Sequence, residues 1–299
     1  MTTTTPPVAM APAVPTARVA KKRLTSPWAS LVAIAIAVLW TTPTLGLLIT
    51  SFRSQRDINR SGWWNVFHNP SLTMENYRTV FKPGTANDLS GYFVNSFVIT
   101  LPAVLAPVLL ASMAAYAFAW MHFKGRDLLF VAVFALQVVP LQIALIPLLK
   151  AFNGWAGIGG SYWTVWIAHT IFALPLAIFL LHNFMKEIPA ELIEAARVDG
   201  AGHVRIFFQV LLPLITPALA AFGIFQFLWV WNDLLVGLTF LGTNKQPLTV
   251  FIGNLVGTKG SAWYLLSAGA FVSIIVPLIV FLSLQRFFVR GLLAGGLKG

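Results

Sequence analysis

Six long apolar stretches constrain the fold of this chain more than any other feature of its sequence. A helix needs roughly 20 mostly apolar residues to cross the ~30 Å hydrocarbon core of a bilayer. Each stretch reaches that length, and the longer ones leave room for tilt. They cover about 27–51, 92–121, 128–150, 162–184, 214–241 and 264–288. The sequence therefore predicts an all-α membrane protein with six transmembrane helices.

Composition supports a membrane protein and removes several other classes. Of the 299 residues, 58% are hydrophobic and only 10% are charged, and the mean hydropathy of +0.79 is far above that of a soluble domain. The net charge is +11, but the basic residues lie at the ends of apolar stretches, which argues for membrane orientation and against nucleic-acid binding. There is no cysteine, so disulfides, thiol catalysis and thiolate metal sites are excluded.

The distribution of lysine and arginine predicts the orientation, because cytoplasmic loops carry the excess of these residues. If the N-terminus is cytoplasmic, most basic residues fall on the cytoplasmic side. They are Arg18, Lys21, Lys22, Arg23, Lys124, Arg126, Lys186, Arg197, Arg205, Arg286, Arg290 and Lys298. We therefore expect both termini in the cytoplasm. Residues 1–26 are rich in Thr, Pro and Ala and are expected to be a disordered tail, and 291–299 a short C-terminal tail.

Proline lies within or beside every predicted span. Kinks are expected at these positions, because proline frees a backbone carbonyl that neighbouring groups must satisfy. A bundle that rearranges to pass a solute tolerates such joints. The prolines are Pro43, Pro102, Pro107, Pro140, Pro147, Pro175, Pro217 and Pro277.

The segment 187–213, between the fourth and fifth stretches, is unusually rich in charge. It holds four of the nine carboxylates of the chain, Glu187, Glu191, Glu194 and Asp199. Acidic residues near its start and glycines near its end are typical of a helix with its stop signal. The sequence predicts a short helix from about Pro189 to Val198, closed by a turn at 199–201. Its predicted apolar face carries Ile188, Leu192, Ala195 and Ala196.

The spacing within this segment resembles the EAA signature of membrane subunits of bacterial ATP-binding-cassette (ABC) importers. Glu194-Ala195-Ala196 is followed by Gly200 and then by Val210-Leu-Leu-Pro213, with Val210 where the family usually has isoleucine. The resemblance implies that 187–213 is the coupling segment, which docks in a cleft of a cytoplasmic ATPase. The coupling residues implied are Glu191, Glu194, Ala195, Ala196, Arg197, Asp199, Gly200, Ala201 and Pro213.

Three further stretches resemble the smaller permease subunit of maltose-type carbohydrate importers. They are Trp231-Asn-Asp233, Ala268-Gly-Ala270 and the tail Phe288–Gly299. The resemblance covers about 27–299 and implies the type I ABC importer permease fold in a bacterial inner membrane. The partners it implies are a second, related permease, two ATPase subunits that bind ATP–Mg, and an extracytoplasmic sugar-binding protein. It implies no catalytic residue, metal or cofactor on this chain.

The same resemblance assigns roles to two terminal or loop segments. The loop 242–261 is expected to reach into the binding protein and help to dislodge sugar. The C-terminal residues Gly296, Leu297, Lys298 and Gly299 are expected to lie along the ATPase pair.

Polar and tryptophan residues inside the spans are candidates for the substrate pathway, because polar groups in a bilayer are costly. Sugars stack on aromatic rings and bond to amides and carboxylates. The candidates are Gln137, Gln142, Gln226, Trp229, Trp231, Asn232 and Asp233. Alternatively, the glutamines hold helices together, the tryptophans anchor at the interface, and Asp233 caps a helix or contacts the binding protein. His169 has no partner at metal-binding spacing and is interpreted as structural.

Three alternative functions remain open from the sequence. A permease for another solute, such as a peptide or phosphate, is one, since only the tail and the Trp-Asn-Asp stretch favour a sugar. A single-component secondary transporter would use intramembrane carboxylates, and Asp233 is the only acidic residue near a span core. An integral membrane enzyme would need clustered ligands, and 187–199 lacks histidines at metal spacing. Among sugars, the C-terminal half favours an α-glucoside such as maltose or trehalose.

Overall fold

A computed structural model of the chain describes residues 27–85, 88–256 and 262–296, with the side chains of 256 and 286–296 excepted. The predicted tail 1–26 and the predicted contacts at Leu297, Lys298 and Gly299 lie outside the described residues. Within the described ranges the chain is helical and has no β-strand, apart from an isolated bridge between Gly160 and Leu241. The prediction of an all-α protein is confirmed.

The helices connect through short loops and turns of 3₁₀-helix. In chain order they are α1 (Pro27–Ser51), α2 (Gln55–Arg60), α3 (Glu75–Val80), α4 (Ser90–Trp120), α5 (Arg126–Ala135), α6 (Leu141–Asn153), α7 (Tyr162–Lys186), α8 (Ala190–Val198), α9 (His203–Leu214), α10 (Thr216–Trp231), α11 (Leu235–Phe240), α12 (Leu248–Val256) and α13 (Trp263–Gly296).

Four single helices in the described ranges are long and apolar enough to cross a membrane: α1, α4, α7 and the first part of α13 (Trp263–Gln285). Two helix pairs also qualify when each pair is taken as one span. The pair Arg126–Val138 and α6 is bent by 102°, and the pair α9 and α10 by 74°. Six spans result only if both bent pairs cross the bilayer.

The sequence predicts one span at 128–150 and another at 214–241, with kinks expected at Pro140, Pro147 and Pro217. The structure has a bend in or beside each stretch. In the first, Pro140 follows a 3₁₀ turn, and its ring keeps Val139 extended at φ −71°, ψ 116°, so the helix restarts in a new direction. In the second, the break lies at Ile215, just before Pro217, and α10 then ends at Trp231. The predicted sixth span, 264–288, continues as a helix to Gly296.

Prolines elsewhere do not interrupt their helices. Pro43, Pro102, Pro107, Pro175 and Pro277 all lie inside continuous helices. A proline therefore breaks a span here only where it adjoins a 3₁₀ turn or a helix start.

The centre of the bundle is formed by α4 and α7, which pack together along most of their length. Alanines fill their interface, among them the buried Ala111, Ala115, Ala173 and Ala177. Small residues allow two membrane helices to approach closely, where dispersion contacts replace the hydrophobic driving force that lipid does not supply. Helix α10 lies against α4 and α13, and α1 packs on α13 with most of its surface exposed.

The loop after α1 is folded around one arginine. Arg53 is only 3% exposed, and its guanidinium donates to the carbonyls of Asp57, Ser61 and Gly62 and to the Ser61 hydroxyl, at 2.6–3.0 Å. The Asn76 amide closes the other side by donating to the carbonyls of Ser51 and Arg53 at 2.8 Å. A buried cation is stable only when its donors are satisfied in this way.

Candidate functional site

The acidic segment forms a helical hairpin, defined here as α8, its turn and α9 (residues 190–214). Helix α8 begins at Ala190, one residue after the predicted start. It ends in a Schellman motif, in which the Gly200 N–H bonds to Arg197 O and the Ala201 N–H to Ala196 O, both at 2.9 Å. Gly200 has φ +81°, a conformation that side chains with a Cβ disfavour.

The face of α8 that packs on the bundle agrees only in part with the predicted one. Ile193 is buried at 1% exposure and Ala196 is half-buried, whereas Leu192 is 46% exposed and Ala195 is exposed. Ile193 packs in one cluster with Ile206, and that tertiary contact selects the face. Of the predicted face, Ile188 and Ala196 do pack against this cluster, whereas Leu192 and Ala195 do not, and Ile193 is the buried residue that the prediction missed.

The exposed residues of α8 form a ridge whose edges still touch the bundle, since Leu192 lines a cavity with Ile215 and Arg197 bonds to α4. Of its members, Val198 is 88% exposed. The ridge consists of Glu191, Leu192, Glu194, Ala195, Arg197 and Val198, and Asp199 and Gly200 extend it into the turn. An exposed ridge of mixed apolar and acidic residues is suited to a protein partner more than to lipid.

Two polar contacts join the hairpin to the end of α4. The Tyr116 hydroxyl lies 2.7 Å from His203 Nδ1, and Arg197 Nη2 donates to the Trp120 carbonyl at 3.4 Å. The Tyr116 ring also packs on Phe207, with centroids 5.5 Å apart. Sequence reasoning missed Tyr116, since it lies in an apolar stretch far from the hairpin, and its phenol among small apolar residues was the only signal.

Most of α9 is π-helical, from Ile206 to Leu211. π-Helical turns are rare and often occur at functional sites. Pro213 follows in the last turn, and the 74° bend to α10 comes next, at Ile215. The predicted site residue Pro213 thus lies at the joint between the hairpin and the fifth span.

A second candidate site is a cavity of about 660 Å³ at the bend between α5 and α6, here called the bend cavity. This volume is within the ~300–1,000 Å³ usual for small-molecule sites. Gln137 and Trp229 line it together with apolar residues, and no charged side chain is among its lining residues. The apolar part of the wall is Leu136, Val139, Pro140, Leu141, Ile143, Ala144, Pro147, Leu148, Ile171, Phe172 and Pro175.

Three other predicted pathway residues do not line the bend cavity. Gln142 is exposed on α6. Gln226 is buried, and its amide donates to the Ala103 carbonyl of α4 at 3.2 Å, which is an interhelical contact. Trp231 is 2% exposed, donates from Nε1 to Ser273 O at 3.1 Å and stacks on Phe227.

Asn232 and Asp233 organise the break after α10. Asn232 Nδ2 donates to Leu228 O at 2.7 Å, and Asp233 Oδ2 accepts from the N–H groups of Val236 and Gly237 at 2.9 and 3.3 Å. Asp233 thereby caps α11, with His169 Nε2 at 3.9 Å. Asp233 lies beyond the end of α10, the helix that carries Gln226.

In the ranges that the structure describes, no group of three or more His, Asp or Glu side chains is arranged to hold a metal ion.

Comparison with protein families identifies one family whose match covers both candidate sites. The family described as "Binding-protein-dependent transport system inner membrane component" matches residues 84–293, which include the bend cavity and the whole hairpin. The chain belongs to this family. It is a membrane permease subunit of an ABC importer, in the inner membrane, and this favours the importer over the secondary-transporter and enzyme alternatives.

Two curated relatives are each 50% identical to the permease. The "Osmoprotective compounds uptake permease protein GgtD" of Synechocystis sp. aligns over 271 residues, 89% of this chain and 90% of the relative. The "Alpha-glucoside transport system permease protein AglG" of Rhizobium meliloti aligns over 236 residues, 77% of this chain and 61% of the relative.

The fold of the permease matches a solved importer. A chain in the crystal structure of a bacterial ABC transporter involved in the import of the acidic polysaccharide alginate superposes with a TM-score of 0.75, covering 93% of this chain and all of that one. The sequence identity is 20%, so the match concerns the fold alone.

Proposed function

We propose that this permease carries a neutral sugar of the α-glucoside class and is driven by a cytoplasmic ATPase through the hairpin 190–214. The observation that carries the substrate class is the bend cavity, whose lining offers one amide and one indole and no charge. A phosphate or a charged peptide would lose its hydration in such a site without compensation. A sugar ring can stack on Trp229 while Gln137 bonds to its hydroxyls.

The names of the relatives support the same class. One is named for α-glucoside transport and the other for uptake of osmoprotective compounds. Both classes include neutral, hydroxyl-rich solutes, which agrees with an uncharged cavity.

The coupling role is supported by the geometry of α8. Glu191 and Glu194 on its ridge are exposed while Ile193 fixes its inner side to the bundle, so a partner that grips the ridge can displace the helix together with its anchor. We assign the ridge to the ATPase cleft, with Glu191, Glu194 and Arg197 as its charged contacts. We likewise propose that α8 and both termini are cytoplasmic.

The complete transporter is proposed to contain a second, related permease, two ATPase subunits with bound ATP–Mg, and an extracytoplasmic sugar-binding protein. The loop 242–261 would contact the binding protein, and the end of α13 with the residues that follow it would contact the ATPase pair. One solved importer of this fold is described in complex with an oligosaccharide-bound periplasmic protein. In this scheme ATP drives alternating access, because the closed ATPase pair binds one state of the permease bundle better than the other.

The substrate is tested by uptake of a panel of radiolabelled solutes into proteoliposomes that hold the whole transporter. We expect α-glucosides to be transported and phosphate and peptides not. Gln137→Leu should lower uptake about fivefold, because it removes one hydrogen bond to the sugar that contributes ~1 kcal/mol. Gln142→Leu is the matched control, since Gln142 lies outside the cavity and should change uptake little. Equal effects of the two variants would contradict a role of the cavity.

The coupling role is tested by Glu194→Lys, which reverses a charge on the ridge. We expect loss of ATPase association or of sugar-stimulated ATP hydrolysis, with membrane insertion intact. Glu75→Lys, on the exposed side of α3, is the control for the charge change alone. Normal uptake by Glu194→Lys would remove the ridge from the mechanism.

A further inference from the structure

A basic cavity lies at the start of α5, where α5 meets the end of α7. Its volume is about 250 Å³, and Phe118, Arg126, Asp127, Phe130, His182 and Lys186 line most of it. A second cavity of about 270 Å³ shares Arg126 and Asp127 and continues beneath the loop 122–125. We call the pair the basic groove. Neither the coupling role nor the sugar pathway uses it.

The cations of the basic groove exceed its anions. Arg126 is 25% exposed on its side chain; its Nε donates to Asp127 Oδ1 at 2.9 Å and its Nη1 to Met121 O at 3.4 Å. Nη2 makes no hydrogen bond to the part of the chain that the structure describes. Lys186 is exposed and likewise forms no ion pair with a described residue. The next carboxylate along the chain, Glu187, lines a different cavity.

Aromatic rings continue from this charged end along the contact between α5 and α7. Phe130 lies against His182 with centroids 4.4 Å apart, and Phe134 stacks on Phe179 at 4.5 Å. Beside them, Leu128 is 77% and Val131 62% exposed. The groove therefore changes from cationic to apolar along the direction in which the helices enter the bilayer.

We propose that the basic groove binds an anionic phospholipid, with the phosphate between Lys186 and Arg126 and an acyl chain along Phe130 and Phe179. Basic pockets between helices at the cytoplasmic side of a membrane are suited to such headgroups. A zwitterionic lipid would bring its own cation to a site that already has a positive excess. The proposal rests on the cytoplasmic orientation of α8 given above, which fixes Lys186 at the inner interface.

The first test is native mass spectrometry of the purified transporter with phosphatidylglycerol or phosphatidylcholine added. We expect preferential retention of phosphatidylglycerol. Arg126→Gln and Lys186→Gln should each weaken it about fivefold and together about 30-fold, from the energy of a charge near a membrane surface. Lys150→Gln, an exposed cation at the far end of α6, is the matched control and should change nothing. Equal retention of the two lipids, or by the double variant and the wild type, would overturn the proposal.

A second test uses the wild-type transporter and does not depend on folding of a variant. A photoactivatable phosphatidylglycerol is crosslinked, and the modified peptides are mapped. Labels on peptides that contain Phe130 or Lys186 are expected. Three results would each refute a lipid site. They are labels on other peptides, a cross-link of this surface to the partner permease instead of lipid, and displacement of the lipid by inorganic phosphate at constant ionic strength. The Glu194→Lys experiment involves no lipid, so failure of the two proposals can be told apart.

Discussion

Ile193 is the single fully buried side chain of α8 in the structure, and its removal should detach the helix from the bundle. At 1% exposure it packs in the cluster that contains Ile206, Phe207 and Leu211. A nine-residue helix is too short to be stable in isolation, so α8 depends on this contact. We expect Ile193→Ala to leave the transmembrane helices intact and to loosen the hairpin.

The magnitude follows from the burial of that side chain. Isoleucine-to-alanine changes in a core destabilise a protein by about 2–5 kcal/mol. A site at the edge of the bundle can relax, so we take a loss of about 2–3 kcal/mol in the free energy that holds α8 on the bundle. This raises the population of detached α8 about 30- to 150-fold. Leu192→Ala is the matched control for hairpin docking: Leu192 is 46% exposed and only lines an open cavity beside α10, so its loss should cost about 1 kcal/mol or less.

The assay is hydrogen exchange of the 193–201 amides in the whole transporter, read beside ATP hydrolysis with and without binding protein. Ile193→Ala should accelerate exchange by the factor above and reduce the stimulation of ATP hydrolysis. Leu192→Ala should leave exchange near that of the wild type, while weakening ATPase association. Unchanged exchange in Ile193→Ala would refute the claim that this one side chain holds α8.

Three further changes test other parts of the structure. Gly200→Ala should destabilise the hairpin by about 1–2 kcal/mol because Gly200 has a positive φ. Gly202→Ala is its control in the same exchange experiment and should be neutral, because Gly202 has φ −74° and free space around the added Cβ. Arg53→Met should expose the loop after α1 to limited proteolysis, whereas Arg56→Met, on an exposed residue, should not. Tyr116→Phe should reduce uptake up to about fivefold through loss of its bond to His203, and unaltered uptake would exclude a coupling role for that bond.

The sequence was sufficient for the four unbroken membrane helices and for the position of the hairpin. Apolar length identifies a membrane helix regardless of its neighbours, and Gly200 with the preceding acidic residues marks a local start and stop. The sequence could not predict the direction in which the chain continues after a break between two helices. Pro102 and Pro140 look alike in the sequence, yet the first lies inside the continuous helix α4 and the second accompanies a 102° bend.

Only part of the two candidate sites could be predicted from the sequence, and the reason is related. Residue type identifies a polar group inside a span but not the neighbour that takes up its hydrogen bonds. Gln137 and Gln226 are equivalent by type, but one lines the bend cavity and the other donates to Ala103. The buried face of α8 also depended on Ile206, across the turn, and so could not be read from periodicity within α8.

The two candidate sites are joined through α9, the joint at Ile215 and α10, and this gives the proposed coupling a physical route. Displacement of α8 acts first on α9, through Ile193 and the turn, and α9 is continuous with the joint at Ile215. Ile215 has φ −91° and ψ 4°, at the edge of the helical region, where a small change of ψ alters the angle between α9 and α10. Helix α10 carries Trp229 in the wall of the bend cavity. A change at this joint therefore reaches the cavity through a single rigid helix, whereas the contact of Tyr116 with His203 passes the same movement to α4.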